Sequence, residues 1–180
     1  VQNWGLWLHT NGATDSALHW NGGGNASSPV EDGTKRIATN QWTHICATKN
    51  GLTIKLYVNG VEVVSGNDFA SSVPDVSGIL RIGSQGTGGS DSAFFKGKMA
   101  NVGLWSRTLS PEEVQSVMNK SYSQLGSVEK TSLVMWQSLD SAVGGAVTPS
   151  SGETLGSELF TNGWTNGASH SGAYPEWSTF

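Results

Sequence analysis

WTHICATKNGLTIKLYVNGVEVV, running from Trp42 to Val64, is the stretch that decides the fold. It holds three short runs rich in Thr, Ile, Val, Tyr and Leu, separated by Asn50-Gly51 and Asn59-Gly60. Asn and Gly accept the positive φ that both central residues of a type I′ turn require, and that turn follows the right-handed twist of paired strands. The spacing therefore predicts an antiparallel meander with Asn-Gly turns. In the middle run Ile54, Leu56 and Val58 fall on one face and Thr53, Lys55, Tyr57 and Asn59 on the other, so one face is predicted buried and the other wet. Such a stretch builds a core and needs no chemistry of its own.

Composition agrees with strands and turns. In 180 residues only 13% are charged and 24 are Gly, with many Ser, Thr and Asn, which suits an all-β domain and not a helical bundle. The net charge is -4 and the ten Lys and Arg are dispersed, which argues against a nucleic-acid groove or an anionic-membrane patch. No apolar run approaches the ~20 residues of a membrane helix. The N-terminus lacks the basic-then-apolar layout of a secretory signal. The sequence opens on Val1 and is read as a cleaved product or a piece of a longer polypeptide. Cys46 is the single cysteine and sits in an apolar run, so it is expected to be a buried, inert thiol.

Upstream, NWGLWLHT and ALHWNGGG read as strands. Trp4, Leu6 and Leu8 alternate with Gly5, Trp7 and His9, so both faces carry large side chains. Residues Asn21 to Gly33 read as a polar loop, as do Ser65 to Val76 and Ser84 to Ser92. Strands are expected at Gly78 to Gly83, at Met99 to Trp105 and, in SLVMWQSLD, from Ser132 to Asp140. One helix is predicted over Leu109 to Leu125, with Ser110 as N-cap, Pro111 at the first helical position and Glu113 completing a capping box. Val114, Val117, Met118, Tyr122 and Leu125 form its packing stripe. Beyond Asp140 the chain turns to Gly, Ser and Thr with Trp164, Tyr174, Trp177 and Phe180, an aromatic tail or the start of another module.

Taken together, WTHICATKNGLTIKLYVNG, LRIGSQG and FFKGKMANVGLWSRTLSPEEVQSV resemble the laminin-G-like modules of the concanavalin A-like lectin and glucanase superfamily, over about Trp4 to Leu125. The resemblance implies a jelly-roll-like antiparallel β-sandwich with one short packed helix. It also implies a structural role for His44. Such modules open with a strand like LVMWQSLD, so the first strands are expected to lie upstream of Val1. The Ser132 to Asp140 strand then either closes the open edge or begins a second copy. The expected division is a module over 1–130, lacking its first strands, and a closing strand with tail over 131–180. LWSRTLSPEEVQSVMNKSYSQL, EKTSLVMWQSLD and LGSELFTNGWTNG also resemble segments of structural and appendage proteins of marine bacteriophages. That likeness implies a virion surface, in a capsid or tail appendage; otherwise an extracellular setting is expected.

The chemistry-bearing residues are scattered. A laminarinase-type enzyme needs carboxylates projecting from one strand, ~5 Å apart for retention. Glu31, Glu62, Glu112, Glu113, Glu129, Glu153, Glu158 and Glu176 instead fall on loops, turns, the helix and the tail. His44 and Cys46 share a strand face, yet the flanking apolar run makes a buried histidine the expected reading. No zinc spacing exists. Asp15, Asp32, Asp68, Asp75 and Asp91 lie in expected loops and leave a weak calcium site open, with no spacing motif to define it. The Gly-rich stretches at Gly22 to Gly24 and Gly86 to Gly89 lead into no helix and cradle no phosphate.

Sugar recognition stacks exposed aromatics on pyranose faces and uses Asn and Asp for hydroxyls. Trp7, Trp20, Asn21 and Asp91 are the candidates, although a sandwich of this size needs large core side chains too. The sequence thus predicts a non-catalytic module that binds surface glycans. The alternative is a structural module packing against neighbouring virion proteins or copies of itself. A glycan-cleaving enzyme requires carboxylates from outside this chain. No cofactor is expected.

Overall fold

The computed structural model describes residues 4–10, 15–22, 30–68, 82–87, 90–92 and 95–139, and the tail beyond Leu139, with Trp164, Tyr174, Trp177 and Phe180, lies outside them. They fall into two compact units, Val1–Gly78 with Arg107–Asn119 and Ile79–Ser106 with Lys120–Phe180.

In the first unit, β1 (Gly5–Thr10), β2 (Asp15–Asn21) and β3 (Val30–Ala38) form an antiparallel sheet in that order. The meander forms a second sheet of β4 (Ile45–Asn50), β5 (Thr53–Val58) and β6 (Val61–Asn67). Its second turn is as expected: Val58 pairs with Val61, and Asn59 and Gly60 between them have φ of 50° and 75°, a type I′ pair. The first turn is displaced by one residue. Asn50 pairs with Thr53, so Gly51 and Leu52 are the central residues and only Gly51 has a positive φ, 57°. Positive φ at the first central position alone is the type II′ requirement, and it leaves Asn50 in the ladder.

The two sheets meet over Leu18, Trp20 and Val30 on one side and Ile54 and Leu56 on the other, all buried. Each side chain so buried contributes about 1.5–3 kcal/mol. On the opposite face of β5 Thr53 and Asn59 are exposed and Lys55 partly so, as the alternation predicts, whereas Tyr57 is only 1% exposed. The β5–β6 register slips between Leu56 and Tyr57. Helix α1 (Pro111–Val117) lies against β6, and its Gln115 Nε2 donates to the Gly60 carbonyl at 3.3 Å.

Two further expectations change. The polar run read as a loop from Asn21 to Gly33 enters β3 at Val30. Along β2–β3, Ala17 pairs with Arg36 and His19 with Glu31, so four β3 residues oppose Leu18 alone. That bulge breaks the alternation by which a strand is recognised. The helix starts as predicted: Ser110 Oγ accepts from the Glu113 N–H at 3.2 Å, and Glu113 accepts from the Ser110 N–H at 2.8 Å. It stops at Met118, not Leu125. Ser121 donates its N–H to Gln124 at 2.8 Å and opens a separate 3-10 turn, Tyr122–Gln124, followed by α2 (Ser127–Lys130). With φ -80° and ψ 167° Ser121 is extended, so it cannot continue the helix.

In the second unit, the expected loop from Ser84 to Ser92 contains a small hairpin, β7 (Gln85–Thr87) with β8 (Ser90–Ser92). Ile82 and Gly83 are a bend and not a strand; 78–81 lie outside the described residues. β9 (Val102–Trp105) starts later than Met99, since Asn101 has a φ of 52°. β10 (Leu133–Gln137) pairs antiparallel with β9, and Trp105 meets Trp136 edge to face at 6.1 Å. Trp105 Nε1 donates to the Glu129 carbonyl at 2.7 Å, tying this sheet to α2.

Candidate functional site

Strand register sorts the side chains of β1 and β2 onto two faces. Leu6 pairs with Trp20 and Leu8 with Leu18, which is the core side. Trp7 pairs with His19, and His19 with Glu31 on β3, so these three form a row across the face turned away from the core. Gly5 pairs with Asn21 in the adjacent row. Trp7, His19, Asn21 and Glu31 are all partly exposed. With strands ~4.8 Å apart the row spans ~10 Å, a flat surface with an aromatic ring at one end and polar groups along it.

The candidates named from sequence separate on this basis. Trp7 and Asn21 come to the same face of one sheet. Trp20 turns to the opposite face, where it is 7% exposed and stacks on Trp4 with ring centroids 5.7 Å apart and planes at 14°. Its Nε1 donates to Asp68 Oδ2 at 3.4 Å, so it offers no open ring face. Asp91 lies on β8, paired with Gly86, and its side chain is outside the described residues. His19 and Glu31 were missed. The alternation in ALHWN already separates Leu18 and Trp20 from His19 and Asn21, whereas the β3 bulge hid Glu31.

The aspartates expected in loops disperse. Asp32 is buried on β3, and Asp68 pairs with Lys49 at 3.0 Å. Asp15 sits on β2 with its side chain outside the described residues, and Asp75 lies outside them altogether. Among the described residues no three His, Cys, Asp or Glu side chains gather as a metal site. Glu31 is half-exposed while its neighbour Asp32 is buried, so the two do not face one reacting bond.

His44 and Cys46 do not form a nucleophilic pair. Burial pushes the Cys46 thiol up to about 12, the opposite of what a reactive thiolate needs. Burial also lowers the His44 imidazole, whose Nδ1 has no hydrogen-bond partner among the described residues. The His44 backbone N–H donates to Asn59 Oδ1 at 3.0 Å and its carbonyl accepts from the Asn59 N–H at 2.8 Å, which closes the meander.

Among known families, a model of the laminin G type, described as the concanavalin A-like lectin/glucanases superfamily, matches residues 2–115. Pentraxin-related protein PTX3 of Mus musculus is 30% identical over 90 residues, 44% of this chain and 23% of that protein. The match therefore spans about a quarter of the relative's length. Among solved structures, an S-layer domain-containing protein from Clostridium thermocellum, residues 221–444, is similar with a TM-score of 0.41 and 16% identity, over 65% of this chain and 64% of that one.

Proposed function

The chain belongs to the concanavalin A-like lectin/glucanase superfamily, and from that premise we propose that it is a non-catalytic module that binds glycans on a surface. The observation that carries this reading is the row Trp7, His19, Glu31 with Asn21 beside it, on the sheet face away from the core. Sugar sites combine an aromatic platform with a few hydrogen-bonding groups. The polar members of the row give hydroxyls both donors and acceptors.

We take the module to occupy 1–130, with 131–180 as closing strand and tail. The pairing of β10 with β9 supports a closing strand over the start of a second copy. The virion placement rests on the likeness of residues 104–125, 129–140 and 155–167 to phage structural and appendage proteins; an extracellular surface fits the same chemistry.

A second reading, a structural module that packs on neighbouring proteins or on its own copies, is favoured by Trp42, 51% exposed, and Val61, 53% exposed. Large apolar side chains left in water are what an interface core covers. A glycan array probed with the protein, with and without calcium, separates the two. Binding lost in a folded Trp7→Ala variant supports the first reading. No binding by folded protein, together with self-association or capture by a neighbour that Trp42→Ser abolishes, supports the second.

A further inference from the structure

We propose that Gly5 is the positioning residue for Trp7, and that the ligand of this face is a neutral oligosaccharide held by stacking on the Trp7 ring. The inference rests on the glycan-binding reading given above and specifies how that site is built and which class of sugar it takes.

Gly5 and Trp7 stand two apart on β1 and therefore share a face. A Cβ on Gly5 would lie 2.2 Å from Trp7 Nε1, 2.9 Å from Cε2 and 3.1 Å from Cδ1. The pyrrole edge of the indole thus fills the space a side chain at position 5 would take. The ring leans back along the strand over bare backbone, which only Gly permits here. Trp7 Nε1 is buried with no hydrogen-bond partner among the described residues, although the residue as a whole is partly exposed. The polar edge is turned down, so the exposed part of the residue lies away from it.

A second pair on β9 shows what differs. A Cβ on Gly103 would lie 2.5 Å from Cζ3 of Trp105, so the same two-residue offset seats an indole on a glycine. There the benzo edge goes down, and Nε1 is used, donating to the Glu129 carbonyl at 2.7 Å. Trp105 ties two elements together. Trp7 is turned the other way, and among the described residues its N–H is bonded to nothing and makes no such tie. A buried unmade hydrogen bond is destabilising, and a phenylalanine would fill the place without it. What the larger indole adds is carbon surface on the open face.

An aromatic carbon surface attracts the C–H face of a pyranose by dispersion and by the ring quadrupole. It contributes no charge to an anionic group and no donor to a sulfate. His19, Asn21 and Glu31, on the neighbouring strands, supply donors and acceptors for hydroxyls. Recognition of this kind needs no metal and responds weakly to ionic strength, unlike phosphate- or sulfate-directed binding.

The test uses the 180-residue chain carrying 5-fluorotryptophan, with β-glucan and chitin oligosaccharides as neutral probes and heparin as the anionic one. The protein is expected to bind a neutral probe equally well in EDTA and in high salt. Gly5→Ala should keep the melting temperature, shift the Trp7 fluorine resonance and weaken binding by about tenfold or more. In a Trp7→Phe background, where no pyrrole edge overhangs position 5, Gly5→Ala should change binding by less than about twofold. Binding lost in Trp7→Ala but kept in Gly5→Ala, or an unfolded Gly5→Ala, overturns the positioning role and leaves the face standing. Binding of heparin alone, or binding abolished by EDTA, overturns the ligand class. Indifference of binding to both Gly5→Ala and Trp7→Ala, or no binding to any probe, overturns the face itself.

Discussion

Trp20 on β2 donates its indole N–H to Asp68, just past the end of β6, at 3.4 Å, and the same carboxylate pairs with Lys49 of β4 at 3.0 Å. One side chain thereby ties both sheets of the first unit at the rim of their shared core. The Lys49 and Asp68 side chains are only 12% and 4% exposed. Asp68→Ala removes the carboxylate facing a buried ammonium, and a loss of about 3–5 kcal/mol is expected in urea unfolding. The double change Lys49→Met with Asp68→Leu should restore most of it. Equal stability of Asp68→Ala and wild type would contradict the tie.

The start of α1 is held by one glutamate with three partners. Glu113 accepts from the Ser110 N–H at 2.8 Å and from both Arg107 amino groups at 2.7 and 2.6 Å. Ser110→Ala removes one cap bond, and about 1 kcal/mol is expected to be lost. Glu113→Ala removes the reciprocal cap and the bidentate pair, so it should cost more, about 2 kcal/mol. Denaturant midpoints of the two variants check the order.

Burial lowers the His44 imidazole from its ordinary 6.5, so the folded state favours the neutral ring. Below 6.5 the unfolded chain takes up a proton that the folded chain resists. Its contribution to stability is therefore full above that pH and is lost as pH falls from there toward the lower folded-state value. Melting temperature plotted against pH should drop more steeply over this window in wild type than in His44→Gln. Identical slopes would remove His44 as the cause.

The Cys46 thiol, pushed up to about 12 by burial, is protonated at neutral pH. A thiol-disulfide reagent is expected to react with unfolded protein quickly and with native protein far more slowly, because little thiolate forms there. Rapid labelling of native protein would show the thiol to be accessible.

The meander, the buried face of Ile54 and Leu56, and the helix cap at Ser110 were legible because each is a local pattern: a turn pair, a two-residue period, a capping box. What was not legible depends on partners distant in sequence. Tyr57 is buried against its alternation, while Thr53 and Asn59 on the same face are exposed. Glu31 was assigned to a loop because four β3 residues bulge opposite Leu18. The helix was drawn too long because Tyr122 and Leu125 continue its spacing after Ser121 has begun a new turn. At the candidate site, Trp7 and Asn21 could be named as residue types suited to sugars. The alternation in ALHWN separates Trp20 from His19 and Asn21, but only register shows that Trp7 and Glu31 join that face while Trp20 belongs to the core.

The most direct test of the glycan-binding face is residue-resolved mapping by NMR, with backbone and indole N–H signals followed as an oligosaccharide found on the array is titrated in. The largest shifts are predicted at Trp7, His19, Asn21 and Glu31, with the Trp20 indole signal unmoved. Shifts gathered instead around Trp42 and Val61, with Trp7 unchanged, would contradict the account.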